Sequence, residues 1–600
     1  MAVAGDSVYK VSKWLGINEN PDGDTELKAG EAAEMTNFRI TPDWSLQIRP
    51  GRYVIAGKSW SGEVRGVWSG RVGDAERVVF ASGGGLYAFD MESRSAAPIL
   101  AGGVSFTDDR TEFFGFSGKL YIQNGHEYLE WDGSSGAHPV VGYRPLVAIG
   151  ATHLGGGTEL EQINKLTAAR RVWFSPDGVA KEFKLPEGNL ASVDYAKLRA
   201  TGAEITSFTA DLSSGAVTFT TAPEKGTNSL EIGYCHSSSR RADVTSMRYA
   251  EIYNGTTDNR VFLCGDGSNM AIYSGLDYDG IERADYFPDL NVLHVGTANT
   301  PITGMIRHYS RLAVFKTDGA YSIDYGTVTL ADSRLAAAFY ITPSNRAVGN
   351  EAAGEVRLVD NSPRTLTDGT VVEWKNYSSY SANLTSDERQ ARIISERVQR
   401  TLGAMDLAHA HTFFDRKRRE YYVYLDGTAV INGVATDTWY IYRDFDFTHL
   451  FESGGELYGF TTGGELAHIA RQYQNDSGNE ITARWRSGSL AFNRDWNRKY
   501  SSRVFLTLKP ETRAALTVSL QSNRHAAGEK RAVSSGLVSF TDGSFEHWSF
   551  GTNRRPQTKR LKLRSKKFAY LQLLLDSRTN WSTATVLAAD VQLRYGGEVR

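Results

Sequence analysis

Short runs of alternating apolar and polar residues recur along the chain, punctuated by Gly-Gly and Asp-Gly pairs. The clearest stretch is residues 418–466. Residues 420–425 are aromatic and β-branched, which suits a pleated half-buried surface. Asp426-Gly427 follows as a turn, and Trp439 to Tyr442 reads as a second strand. Gly454-Gly455 precedes a third at 456–460, and Gly463-Gly464 precedes a fourth at 465–469. This spacing predicts one nearly complete four-stranded antiparallel unit, the pattern of a β-propeller blade.

The same rhythm runs through residues 56–150, with strands at 78–80, 86–90, 113–116, 119–122 and 128–131. It resumes over 244–474, at 247–253, 260–264, 270–273, 305–309, 312–316 and 321–325, and around Asp368-Gly369. Residues 151–243 break it; their later part alternates cleanly at 216–220 and predicts an inserted β domain. Such an insertion is tolerable because loop-closure entropy grows slowly with length. Residues 1–55 form a leader, with a short helical turn at 31–35 and extended segments at 37–40 and 46–51, expected to pair with a sheet edge. One helix is predicted over 386–405: Asp387 and Glu388 lie in its first turn, and Ile394, Val398 and Leu402 form an apolar stripe. Residues 475–600 read as seven or so strands, a β-sandwich. The predicted fold is all-β: a β-propeller with an inserted β domain and a C-terminal β-sandwich. Roughly 320 propeller residues at about 40–50 per blade give six to eight blades; stacked sheets are the competing arrangement.

Composition supports many short strands joined by tight turns: 59 Gly against 15 Pro, with 29 Tyr, 27 Phe and 12 Trp in 600 residues. The formal charge of −2, from 67 basic and 69 acidic residues, gives no support to bulk polyanion binding and leaves that role to a local patch. Cys235 and Cys264 are too few for a disulfide framework. They read as small buried residues of a cytoplasmically folded chain, with a single bridge as the alternative. No run approaches the roughly 18 apolar residues of a membrane-spanning helix, and the first residues lack the apolar core of a signal peptide. A soluble protein without membrane insertion is expected.

Motifs for chemistry are sparse. The run Gly155-Gly156-Gly157 lacks the Lys of a phosphate-binding loop, and neither a GxSxG elbow nor an HExxH helix occurs. His409 and His411 would share a face of a strand, without a third metal ligand. Asp22/Asp24, Asp277/Asp279 and Asp444/Asp446 are close carboxylate pairs in turn-like contexts, where Asp is favoured for local hydrogen bonding. Glycoside hydrolysis needs two carboxyls converging across a cleft, which spacing does not reveal. Neither 175–178 nor 539–543 matches the sialidase Asp box.

Two basic clusters remain. Arg416, Lys417, Arg418 and Arg419 precede a strand and read either as a solvated hairpin turn or as an anion contact. Around a second strand lie Arg554, Arg555, Lys559, Arg560, Lys562, Arg564, Lys566 and Lys567. Arg560, Lys562, Arg564 and Lys566 share one face, with Leu561 and Leu563 on the other. A charged edge strand guarded against aggregation is the plain reading; electrostatic contact with nucleic acid or an acidic partner is the functional one. No aromatic residues interleave the cluster, so base stacking is not supported.

The leader and the C-terminal end carry a further pattern. Gly16-Ile17-Asn18, residues 27–32, Asn37-Phe38-Arg39-Ile40 and Arg49-Pro50-Gly51 resemble the start of tail proteins of tailed bacteriophages and prophages. Asn164-Lys165-Leu166-Thr167 before a strand and Asp177-Gly178 look like that group's inserted domain, and residues 591–598 like its ending. The group is similar to the β-propeller tail nozzle proteins of short-tailed phages, including those described as packaged-DNA stabilisation proteins. This resemblance implies a virion structural protein, made in the bacterial host cytoplasm and located in the tail. It implies a homo-oligomer, a hexameric ring, below the portal and adaptor proteins, retaining packaged double-stranded DNA and passing it at ejection. No catalytic residue, cofactor or metal is implied. On this reading Arg416, Lys417, Arg418, Arg419, Arg560, Lys562, Arg564 and Lys566 line or flank the DNA channel. A host-surface carbohydrate-binding tail component is the alternative, with a glycosidase behind it.

Overall fold

A computed structural model describes the chain except residues 1–6, 21–25, 161–162, 255–258, 330–334, 376–390, 493–495, 511–513, 525–527, 536–554 and 599–600. Six four-stranded antiparallel sheets, and four antiparallel strands of a ten-stranded sheet, follow one another in a ring. Blade 1 runs from Val64–Val72 to Ser95–Pro98, and blade 2 from Glu112–Phe116 to His138–Pro139. Blade 3 spans Tyr249–Asn254 to Val292–His294, blade 4 Ile302–His308 to Leu335–Asn345, and blade 5 Arg357–Val359 to Ala391–Ile393. Blade 6 comprises His411–Asp415, Glu420–Leu425, Thr428–Gly433 and Thr438–Arg443. In blade 7, Phe447–Ser453, Glu456–Thr461 and Leu466–Ala470 are joined by Gly51–Ala56 from the leader. The first strand of each blade packs against the first strand of the next, and Phe447–Ser453 closes onto Val64–Val72. The fold is therefore a β-propeller of seven blades among the described residues.

Tight turns set this geometry. Asp426-Gly427, Asp368-Gly369 and Gly454-Gly455 each hold two successive residues at positive φ, as two-residue hairpins require. Between blades the cores are aromatic wedges: Trp60, Phe80 and Phe460 between blades 7 and 1, and Phe262, Tyr273 and Phe339 between blades 3 and 4. Rings of this size bury about 150–250 Å² each, which explains the high aromatic content.

Strands between Leu146–Ala151 and Leu230–His236 form a five-stranded and a three-stranded sheet with their own core around Val172, Phe174, Phe183 and Phe219. Asn164 anchors this insertion. Its amide donates to the Tyr143 and Asp285 carbonyls (both 2.8 Å), and its carbonyl oxygen accepts from the Phe287 backbone. Beside it, the buried Lys165 ammonium pairs with Asp243 and Asp289. The C-terminal strands form a sandwich, one sheet built on Asn497–Leu508 and Thr585–Glu598, the other on Ile481–Ser487, Leu571–Thr579 and Ala514–Ser522.

Several elements differ from the sequence expectation. Residues 418–466 do not form one unit: their strands divide between blades 6 and 7. Strands Thr428–Gly433 and Phe447–Ser453, absent from the predicted unit, supply the difference. The helical turn at 31–35 is the strand Glu31–Thr36. Helix propensities differ by only about 0.7 kcal/mol per ordinary residue, so pairing with Ile481–Ser487 and burial of Ala32 and Met35 prevail. The helix at 386–405 is likewise lost. Residues 386–390 lie outside the described residues, and Ala391–Ile393 fills the open edge of blade 5. Helical backbone is confined to Glu396–Val398 and Gln399–Gly403, where Val398 and Leu402 are buried. Cys264 is buried but Cys235 only half-buried, and both are free thiols.

The leader does more than decorate an edge. Glu31–Thr36 lies between the outer strand of blade 6 and Ile481–Ser487, fusing blade and sandwich into one ten-stranded sheet. Ser7–Val11 pairs with the C-terminal strand, and Phe38–Ile40 and Leu46–Ile48 extend the same sandwich sheet. Gly16, at φ +77°, passes so close to the Trp439 carbonyl that a Cβ would lie 2.4 Å from its oxygen. At the junction the Arg49 guanidinium grips the Asp476 carboxylate through both Nη atoms, Nη1 at 3.0 Å, and donates from Nε to the Asn37 side-chain oxygen (3.0 Å). Asn37 also accepts from the Arg443 backbone (2.9 Å) and donates to the Thr482 carbonyl (2.8 Å). Breaking a buried pair by removing one partner costs about 3–5 kcal/mol. Urea unfolding should therefore show Arg49→Ala destabilised by about that much, with Arg49→Ala/Asp476→Ala losing less than the sum of the single variants.

Candidate functional site

Polar residues at or beside the first strands of several blades face the ring axis. Arg110 and Glu112 come from blade 2, Glu251 from blade 3, Glu355 and Arg357 from blade 5, His411 from blade 6 and His449 from blade 7. Together with Trp68, Tyr249 and Phe413 they line an axial cavity of about 600 Å³.

Glu355 is the hub, with a side chain only 4% exposed. One oxygen accepts from Arg110 Nη2 at 2.8 Å and lies 3.4 Å from His411 Nδ1. The other accepts from the backbone N–H and hydroxyl of Thr412, both at 2.8 Å, and from Arg357 Nη2 at 3.1 Å. Burial alone would raise this carboxyl; Arg110, Arg357 and the His411 hydrogen bond outweigh it and hold Glu355 well below the usual carboxylate range. Blades 2 and 5 face each other across a seven-membered ring, so the Arg110–Glu355 pair bridges the channel. Gly354 makes room for it: at φ +76°, its Cβ would lie 2.5 Å from Arg110 Nη2.

The other carboxyls behave differently. Burial raises Glu112 against the opposing pull of Arg110 and Arg357. Burial, helped by the neighbouring Glu112 charge, pushes Glu251 up to about 8. His449 is held down to about 3 by burial and by the charges of His411 and Arg110, so its imidazole is neutral at pH 7. Its ring lies 5.2 Å from that of His411. The channel thus combines one ionised, fully engaged carboxylate with two carboxyls raised by burial and a neutral imidazole. Among the described residues no group of three or more His, Cys, Asp or Glu side chains is placed to hold a metal ion.

The residues singled out in sequence scatter. His409 sits in a 3-10 turn, 2.8 Å from Asp406, while His411 begins a strand and enters the channel, so the two do not share a strand face. Asp277 Oδ1 caps its own turn, accepting from the backbones of Asp279 (3.0 Å) and Ile281 (2.9 Å). Asp446 pairs with Arg52, Asp444 occupies a left-handed turn position, and Asp22 and Asp24 lie outside the described residues. In the first basic cluster Lys417 pairs with Glu456 (2.8 Å), Arg418 with Asp415 (2.8 Å) and Arg419 with Asp360. Only Arg416 reaches the channel mouth. The second cluster does not form one strand: Gln557–Leu561 and Ser565–Phe568 each pair with Asn497–Leu508, and Lys562 and Arg564 lie in the irregular residues between them, so the four cations do not share one strand face. Arg560, Lys562, Arg564 and Lys566 are all exposed, and no ion pair is formed by any of them among the described residues. Arg531 Nε donates to the Lys562 carbonyl (3.3 Å), adding a cation beside the cluster. Arg554 and residues 539–543 lie outside the described residues.

Glu112, Glu251, Glu355 and His449 escaped the sequence analysis because they are far apart in the chain and follow no motif spacing. The only shared feature is their place at or just before the first strand of a blade, visible only once the blades are phased.

No family model matches the chain, and no curated protein matches it in sequence. Among solved structures, the chain is similar to one titled "Crystal Structure of Mitotic Checkpoint Complex", at 10% identity over 74% of this chain and 97% of that one, with a TM-score of 0.31. It is also similar to Saccharomyces cerevisiae Sqt1, at 10% identity over 70% and 99%, with a TM-score of 0.30. The architecture rests on the strand pairing itself. Among the described residues no helix is long and apolar enough to cross a membrane.

The channel carboxyls make stability depend on pH. With Glu251 near 4.5 when unfolded and about 8 when folded, the folded chain binds the extra proton between those values. Its contribution to stability therefore falls as pH rises through that window. Thermal unfolding across pH 4.5 to 8.5 should find Glu251→Gln close to the parent at the acid end and more stable at the alkaline end.

Proposed function

We propose that the chain is a structural subunit of a phage-type tail nozzle, assembling as a ring whose lumen passes double-stranded DNA. The observation that carries this reading is the exposed cluster Arg560, Lys562, Arg564 and Lys566, which runs from one edge strand of the sandwich to the next across the irregular residues 562–564, with Arg531 beside it. Exposed cations clustered in this way offer phosphates contacts without reading bases. The resemblance of the leader and C-terminal end to tail proteins points the same way, and these two segments pair with each other.

The bridged propeller axis favours a lumen between subunits over one through a subunit. A nucleic-acid duplex has no room in a cavity of about 600 Å³ crossed by the Arg110–Glu355 pair. The basic run at 416–419 contributes less than its sequence suggests, since three of its four charges already face carboxylates.

Negative-stain imaging of the purified chain is expected to show six-fold rings; a chain that stays monomeric at high concentration contradicts the reading. Binding to duplex DNA should be independent of sequence. Replacing Arg560, Lys562, Arg564 and Lys566 together by Gln should flatten the dependence of log K on log salt by about 3–4, at about 0.9 per lost phosphate contact.

A further inference from the structure

A second concavity lies on the seam between blades 7 and 1, where the leader strand closes the ring. Across blade 7, Phe451 pairs with Tyr458, Tyr458 with His468 and His468 with Tyr53, so one face of the sheet carries an unbroken aromatic row. The row begins in the core between the blades and ends at the surface. Tyr458 stacks on His468 with centroids 4.7 Å apart, Tyr53 stacks on Tyr473 at 5.6 Å, and Tyr53 is 50% exposed. With Met91 and Arg94 from the outer hairpin of blade 1, these rings enclose about 220 Å³.

The polar groups sit at the edges of the rings. His468 Nδ1 lies 3.0 Å from the Tyr473 hydroxyl, and its Nε2 lies 3.5 Å from Glu456, which Lys417 neutralises at 2.8 Å. Arg94 is exposed at a left-handed turn position and forms no ion pair among the described residues. Aromatic faces ringed by a few polar groups, in a concavity below the roughly 300–1,000 Å³ of drug-sized sites, suit one small ring with apolar faces and a polar rim. A pyranose has that character: its C–H faces lie on aromatic rings and its hydroxyls meet edge donors and acceptors. The unpaired guanidinium adds a preference for a carboxylate.

We propose that this seam binds a single uronic acid residue of an acidic glycan, its ring on Tyr53 and Tyr473 and its carboxylate on Arg94. The site exists only in the closed ring, because Tyr53 comes from the leader and Arg94 from blade 1. It is independent of the nozzle reading.

Saturation-transfer NMR on the full chain, with methyl β-glucuronide, methyl β-glucoside and AMP as probes, tests this. The glucuronide should bind about tenfold more tightly than the glucoside, a difference of the size expected for one charge-assisted contact. Tyr53→Ala, a half-exposed position, should abolish binding of both sugars with the unfolding midpoint kept. Arg94→Gln, on an exposed turn, should retain the glucoside and erase the tenfold preference. The proposal is overturned if neither sugar receives saturation, if both bind equally to the parent chain, if binding survives Tyr53→Ala, or if AMP binds more tightly than the glucuronide.

Discussion

The clasp of Arg49 on Asp476, with Asn37 wedged beside it, is the contact on which the architecture turns. A propeller is a ring that must be closed, and a sandwich beside it must be held at a fixed angle. Both tasks fall to the leader. Asn37 bonds at once to Arg49, the outer strand of blade 6 and the first strand of the sandwich. Two residues beyond Arg49 the chain is already the closing strand of blade 7. The ring, the sandwich and their junction thus share one short buried polar node. Its charges are tolerable because each is paired and hydrogen-bonded, the condition under which a buried ion survives.

A second polar core occupies the ring axis. There the first strands converge, and side chains from blades at opposite sides come within reach of one another. The Arg110–Glu355 pair spans that gap, and Thr412 and Arg357 complete the carboxylate's bonds. Glu355 holds the closest contacts to the available cations, while burial raises Glu112 and Glu251. The propeller axis is thus bridged by an ion pair, while the exposed basic cluster lies on the sandwich.

Much of the β architecture was legible in residues. Asp426-Gly427 and Asp368-Gly369 announced hairpins because two successive positive φ angles are cheap only for such pairs. The four cations at 560–566 are exposed, but the single strand read from their alternation is broken at residues 562–564, between Gln557–Leu561 and Ser565–Phe568. The failures share a cause. The segments at 31–35 and 386–405 carry good helix formers, yet Glu31–Thr36 and Ala391–Ile393 are strands, because an open sheet edge offers backbone bonds worth more than local propensity. Strand Thr428–Gly433, with no aromatic residue, was invisible for want of a period, and its omission merged two blades into one.

What the sequence by itself determined was local: where the chain turns, which positions alternate, and that the product is an all-β repeat with an insertion and a distinct end. Turn chemistry and period act over a few residues, so they can be read from a few residues. The closure of the ring, the phasing of the blades and the sites that depend on both were decided only by the tertiary structure. Tyr53 meets His468 across more than four hundred residues, Arg49 meets Asp476, and Arg110 meets Glu355. Contacts of that separation leave no period in the chain, because their partners are set by the order of whole sheets around an axis.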